Sequence, residues 1–227
     1  MLTSGQDYIT KTGVDMAKSK IKIKEIELKR QIILEEATKL IDKVGFKNAK
    51  MEDIAKKVGF SKASLYSYFK YKEEIAISIS KEHLVKLYNK ISDLPSKDIP
   101  ASDKLGILKN AHLDFMKRSK NFMVIKLNYA IVQKAHEEFI DLKLKLVEIL
   151  KLTLEQGKKE GIFNKSLDSN LTSYLLEAVF TGIAFTNSLV RSIKSDKLTV
   201  FNVDEMVSFA MDFFYMGITN TKTEKCK

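Results

Sequence analysis

The stretch MEDIAKKVGFSKASLYSYF, residues 51–69, decides the reading of this chain, because it spells two short helices around a tight corner. In the first, Ile54 and Val58 recur at helical spacing, with small Ala55 beside them where a partner helix must come close. Gly59 stands at the corner, where a left-handed backbone costs a residue without Cβ little. Ser61 is a good N-cap for the second helix, and Leu65, Tyr68 and Phe69 give that helix an apolar face. A helix, a turn and a helix at this spacing is the arrangement that lays the second helix in the DNA major groove. Two helices also meet at a corner in many all-helical proteins, so the flanking residues have to decide.

Upstream lies RQIILEEATKLIDKVGF, residues 30–46, and downstream lies KYKEEI, residues 70–75. Taken together, residues 30–75 resemble the DNA-binding domain of the tetracycline-repressor (TetR) family. The resemblance is carried by the Arg30 helix ending at Gly45-Phe46, by Met51 to Ala55, Val58-Gly59, Ser61-Lys62, Leu65-Tyr66, Tyr68-Phe69 and Lys72-Glu73, all without a gap. It covers about a fifth of the chain. Two positions depart from the family pattern: Ala49-Lys50 stand where a Thr pair is usual, and Ala63 stands where a Gly is usual. The first departure removes one phosphate contact unless the Lys50 ammonium replaces it. The DNA-binding set that the resemblance implies is Lys50, Ser61, Lys62, Ala63, Ser64, Tyr66, Ser67, Tyr68 and Lys72. Lys62 suits a guanine edge or a phosphate, and the hydroxyls of Ser64, Tyr66 and Ser67 suit phosphate oxygens. Tyr68 fits the core equally well by its spacing. Lys72 would bring an ammonium and a positive helix end to a phosphate.

Charge placement points the same way. The formal net charge is +10, and residues 18–72 carry fifteen Lys or Arg against seven Asp or Glu. Most of the excess thus sits on the quarter of the chain that holds the helix-turn-helix. A polyanionic partner explains this, because neutralised phosphates release condensed counterions. The alternative is a set of merely solvating surface lysines. The 44% apolar and 30% charged content is that of a globular chain. One cysteine, Cys226, forms no internal disulfide and suits a cytoplasmic protein. The most apolar run, Tyr174 to Phe185, is broken by Glu177, so no membrane span is expected. The three histidines, His83, His112 and His136, stand far apart, without metal-ligand spacing. No metal, cofactor or catalytic constellation is read, and an enzyme is not expected.

Only two prolines occur, Pro95 and Pro100, and the rest reads as all helix. Helices are expected near 25–44, 51–58, 62–69, 72–93, 102–119, 121–134, 137–160, 169–193 and 203–219. Gly45 and Gly161 fit helix C-termini, Ser102 and Asp168 fit N-caps, and His136 fits a helix start. Ile21 to Ile26 alternates as a strand does, or forms a basic arm that orders on a phosphate backbone. The division so implied is a flexible extension at 1–20, a three-helix helix-turn-helix domain at 21–71, a larger helical domain at 72–221, and a polar tail at 222–227.

In TetR-like proteins the larger domain binds a ligand and dimerises. His112, Phe115, Met116, Phe122, Lys126, Tyr129, Phe139, Glu177 and Phe180 lie on the helices expected around the ligand, though each also serves as ordinary core or surface. Leu175, Val179, Gly182, Phe209, Phe213 and Met216 lie on the last two helices, which in the family pair across a twofold axis. The same stripes would equally fill a monomer's core. The expectation is a homodimeric repressor that reads a palindromic operator and is released by a small molecule. The alternative is a TetR-fold adaptor working through protein partners without operator binding.

Overall fold

The computed structural model describes residues 6–119, 129–193 and 202–219, and these form eight α-helices and no strand. They are α1 (Gln6–Val44), α2 (Met51–Val58), α3 (Lys62–Tyr68), α4 (Lys72–Ile91), α5 (Ala101–Ser119), α6 (Tyr129–Lys159), α7 (Ser169–Ile193) and α8 (Val203–Ile218), with a 3-10 turn at Leu94–Ser96. The chain separates into two compact units, Met1–Ile75 and Ala76–Lys227, and the division falls inside α4.

In the first unit, α1 buries Ile33, Leu34, Ala37, Leu40 and Ile41, one face of a 3.6-residue helix. Met51, Ile54 and Ala55 of α2, and Leu65 and Phe69 at α3, close the core, while Val58 is half-buried. Both corners depend on glycine. Gly45 (φ 81°) ends α1, and Gly59 (φ 75°, ψ 25°) ends α2, where the Phe60 N–H donates to the Ala55 carbonyl at 2.9 Å.

The second unit has one apolar core drawn from all its helices, including Leu84 and Ile91 of α4, Leu108 of α5, Leu150 and Leu154 of α6, Phe180 of α7 and Val207 of α8. Its helix ends are tied by polar side chains. Asp168 Oδ1 accepts from the Leu171 N–H at 2.9 Å and caps α7, as its position suggests. Ser102, by contrast, lies inside α5, and the Ala101 N–H instead donates to the Glu160 carboxylate at 2.9 Å. Beside it the Lys104 ammonium, nearly sealed from solvent, donates to Gln156 Oε1 at 2.6 Å and to the Pro95 carbonyl at 3.1 Å. Gly161 (φ 76°) turns the chain after α6. The Asn164 N–H then meets the Ile218 carbonyl at 2.8 Å, beside a single bridge between Phe163 and Thr219.

Two helices differ from the sequence reading. α1 begins at Gln6 rather than near residue 25 and runs through the stretch read as a flexible extension. Ile21 and Ile23, 66% and 52% exposed, show why alternation misleads there: with neither face buried, the pattern carries no burial information. α6 is continuous from Tyr129 to Lys159, so His136 starts no helix; its neighbours Glu137 and Glu138 are good helix formers and neither Gly nor Pro interrupts 129–156. The expected helix at 121–134 lies outside the described residues as far as 128.

Candidate nucleic-acid interface and ligand groove

α3 is only seven residues long, too short to hold itself together, so its neighbours define it. Leu65 and Phe69, both fully buried, pin it from inside. Ser61 Oγ accepts from the Ser64 N–H at 3.1 Å and caps its start. Its end is clamped by Arg30 of α1. Arg30 Nη1 donates to the Tyr68 carbonyl at 2.5 Å, the guanidinium lies 4.0 Å over the Phe69 ring, and Nη2 is 3.8 Å from the Glu74 carboxylate. The sequence reading gave Arg30 no such role. The available signal was its phase, since Arg30 shares the stripe of Ile33, Leu34, Ala37 and Ile41.

With the core duties met by Leu65 and Phe69, Lys62, Ala63, Ser64, Tyr66 and Ser67 are left exposed. Tyr68 is half-buried, its ring 6.0 Å from that of Phe60. The Ser67 hydroxyl donates to the Ser64 carbonyl at 2.7 Å, which leaves its lone pairs outward. Lys62 pairs with Glu52 of α2 at 2.5 Å, and that hydrogen bond raises the lysine's pKa and lowers the glutamate's.

The two remaining lysines of the set behave differently. Lys50 is exposed and occupies the N-cap of α2 with no side-chain cap; only its carbonyl accepts, from the Asp53 and Ile54 N–H groups at 3.1 and 3.2 Å. Lys72 turns inward. Its ammonium donates to the carbonyls of Phe46 (2.7 Å), Ala49 (2.8 Å) and Lys47 (3.4 Å) and lies 4.5 Å from the Phe46 ring centre. Burial lowers its pKa from the ordinary lysine value. It therefore closes the loop between α1 and α2, and a phosphate would compete with three carbonyls for it.

In the second unit, three of the residues expected around a ligand meet. The His112 ring stacks on Phe180 with centroids 4.1 Å apart, and His112 Nε2 lies 3.1 Å from Glu177 Oε2. His112 Nδ1 is 2.8 Å from the Leu108 carbonyl. The second Glu177 oxygen accepts from the Lys143 ammonium, which also donates to Thr181 Oγ1 at 3.0 Å. Burial, the largest influence on Glu177, pushes its carboxyl up; the His112 hydrogen bond and the Lys143 charge outweigh it and hold the pKa below the usual glutamate value. Lys143 and Thr181 are absent from the sequence reading, although a Glu inside so apolar a run demands a cation.

Lys143, Glu177 and Thr181 line an open groove of about 570 Å³ between α6 and α7, whose apolar lining includes Ile140, Leu144, Tyr174 and Phe185, while His112 and Phe180 lie buried behind it. Phe115 and Met116 are buried in the core and Phe139 is half-buried against it. Tyr129 is the first residue of α6, and Phe122 and Lys126 lie outside the described residues. On α7 and α8, Leu175, Phe209, Phe213 and Met216 are 58%, 75%, 70% and 62% exposed. Gly182 is also exposed, whereas Val179 is half-buried against the core.

Residues 33–79 match the family model for bacterial regulatory proteins, tetR family. An HTH-type transcriptional regulator of Bacillus subtilis (strain 168), YhgD, is 26% identical over 159 residues, covering 69% of this chain and 83% of that one. The fatty acid metabolism regulator protein of the same organism is 24% identical over 151 residues, 63% and 75% of the two chains. Among solved structures, the transcriptional regulator FadR from Bacillus subtilis in complex with stearoyl-CoA superposes with a TM-score of 0.58 at 18% identity, over 83% of this chain and 98% of that one. Residues 33–79 thus form a helix-turn-helix domain of the tetR-family type, and the chain is similar over most of its length to HTH-type transcriptional regulators.

Proposed function

We propose that this regulator is a homodimeric repressor whose grip on a palindromic operator weakens when an anionic ligand with a long apolar part occupies the groove between α6 and α7. The observation that carries the ligand class is the Lys143 ammonium, fixed by Glu177 and Thr181 at the edge of a surface lined by Ile140, Leu144 and Phe185. A head group exchanges places with one of those partners while the chain covers apolar surface. The similarity to a fatty acid metabolism regulator and to a fold seen with stearoyl-CoA supports the same class. The exposed Leu175, Phe209, Phe213 and Met216 support α7 and α8 as the dimer surface, since a monomer rarely leaves so many large apolar side chains in water. Lys62, Ala63, Ser64, Tyr66 and Ser67, with Ser61 as cap, are assigned to the operator; Lys50 supplies a flanking phosphate contact and Tyr68 a partial one.

Release follows by linkage: the ligand must favour a form in which the two recognition helices no longer match successive major grooves, with a coupling typically of ~1–3 kcal/mol. The test is a fluorescence-polarisation titration of promoter DNA at two salt concentrations, repeated with stearoyl-CoA, palmitate and neutral triclosan. Tight, salt-sensitive binding released by the two anions and not by triclosan is expected, and Lys143→Met should abolish the release while leaving operator affinity unchanged. A folded dimer that binds promoter no better than competitor DNA would overturn the repressor reading in favour of an adaptor.

A further inference from the structure

We infer that the exposed turns of α1 from Ser19 to Leu28 are a second DNA-contacting element, reaching phosphates beside the half-site through the side of the helix that carries Lys22. The inference rests on the operator-binding reading and extends it to a segment outside the helix-turn-helix.

α1 is 39 residues long, and among its described side chains the first buried one is Ile33. From Ser19 to Leu28 every residue is exposed, so those turns contribute nothing to the core of the first unit. At 1.5 Å per residue, the helix from Gln6 to Lys29 runs for ~35 Å, about one turn of duplex DNA.

Its direction relative to α3 is set at two adjacent residues. The Lys29 ammonium lies beside the Tyr68 hydroxyl, and Arg30 donates to the Tyr68 carbonyl. The side of α1 spanned by Lys29 and Arg30 therefore faces the end of the recognition helix. Seven residues make two turns to within ~20°, so Lys22 lies on the Lys29 side, roughly 10 Å further along the axis. Lys20 and Lys24 fall on the other side, each well over a third of a turn away from Lys29. Thus Lys22 extends the side of α1 that meets the end of α3, while Lys20 and Lys24 carry the same charge on the other side.

Charge complementarity favours DNA over a lipid surface. An interfacial helix needs one wide apolar face. Here the exposed Ile21 and Leu28 share one side, and Ile23 and Ile26 lie on roughly the opposite one. Apolar and charged residues are mixed around the helix, with Glu25 paired to Lys29 at 2.6 Å and Lys22 one turn beyond that pair, which suits a solvated phosphate backbone and not a bilayer.

The test compares two charge reversals in the full chain, Lys22→Glu and Lys24→Glu. They change net charge equally and sit at exposed positions on different sides of the helix. The probes are duplexes enriched from a random pool by the wild-type protein, titrated across salt concentrations and mapped by hydroxyl-radical footprinting. Lys22→Glu is expected to weaken binding about fivefold or more, lower the log–log salt slope by about one, and remove protection at phosphates flanking the half-site. Lys24→Glu should stay within about twofold of wild type, with the footprint intact. Equal losses in both variants would mean diffuse electrostatics and would overturn the inference, as would no loss in either, while the operator reading would stand. Loss of sedimentation with anionic phospholipid vesicles on Lys22→Glu, with DNA binding unmoved, would assign the segment to membranes instead. Failure of the wild-type protein to enrich any duplex would overturn both readings together.

Discussion

Lys72 shows how a residue type fits two roles until its partners are known. Its position at the first residue of α4 suits a phosphate contact, yet its ammonium is held by carbonyls 23 to 26 residues away in sequence. Lys72→Met keeps the stem near Phe46 and removes the charge; it should cost ~1–3 kcal/mol in urea unfolding, because hydrogen bonds from a charged donor are lost. Unchanged stability with weakened operator binding would return Lys72 to the DNA contacts. Glu177 is the second case. A carboxyl held below its ordinary value in the folded state contributes stability that is complete at neutral pH and is lost as pH falls through that lowered value. The wild-type melting temperature should therefore fall on acidification below the usual glutamate range. Glu177→Gln should be ~3 kcal/mol less stable at neutral pH, because His112 and Lys143 lose their shared partner, and less sensitive to acid over that window. A pH profile identical to wild type would remove Glu177 from the account.

At the scale of elements, what was legible divides cleanly from what was not. The stripe Ile33, Leu34, Ala37, Ile41, the inward Leu65 and Phe69, and the glycine corners at 45, 59 and 161 are local patterns, and a sequence states them directly. Arg30 on the Tyr68 carbonyl, Glu160 on the Ala101 N–H and Lys143 on Glu177 join residues 38, 59 and 34 positions apart. Periodicity says which face is apolar and never names the distant partner of a polar group. The outward residues of α3 were readable because they are what remains once core and cap are assigned. The groove was not, because its polar wall depends on which α6 lysine meets α7. Gly157 belongs to the same hidden class: it is buried in α6, and a Cβ there would overlap the fully buried Phe163 ring. Gly157→Ala should destabilise the second unit by ~1–3 kcal/mol, and adding Phe163→Leu should recover part of that loss. Two independent, additive losses would argue that the contact is not the cause.

For the whole molecule, the proposed dimer is the property to test. Phe209 and Phe213 lie one turn apart on α8 and are the most exposed large apolar side chains of that helix. Phe213→Glu should leave each chain folded, shift the species seen in analytical ultracentrifugation to monomer, and weaken operator binding by far more than tenfold, because one short helix makes too few contacts alone. A variant that stays dimeric would move the dimer surface elsewhere. Because Leu65 and Phe69 pin α3 from inside, Ser61 caps its start and Arg30 clamps its end through a main-chain carbonyl, the fold of α3 rests little on its exposed side chains Lys62, Ala63, Ser64, Tyr66 and Ser67. Those five surface positions can be rewritten by mutation at little structural cost. If the proposed operator role holds, the protein is a scaffold on which new operator specificities can be evolved or selected from libraries.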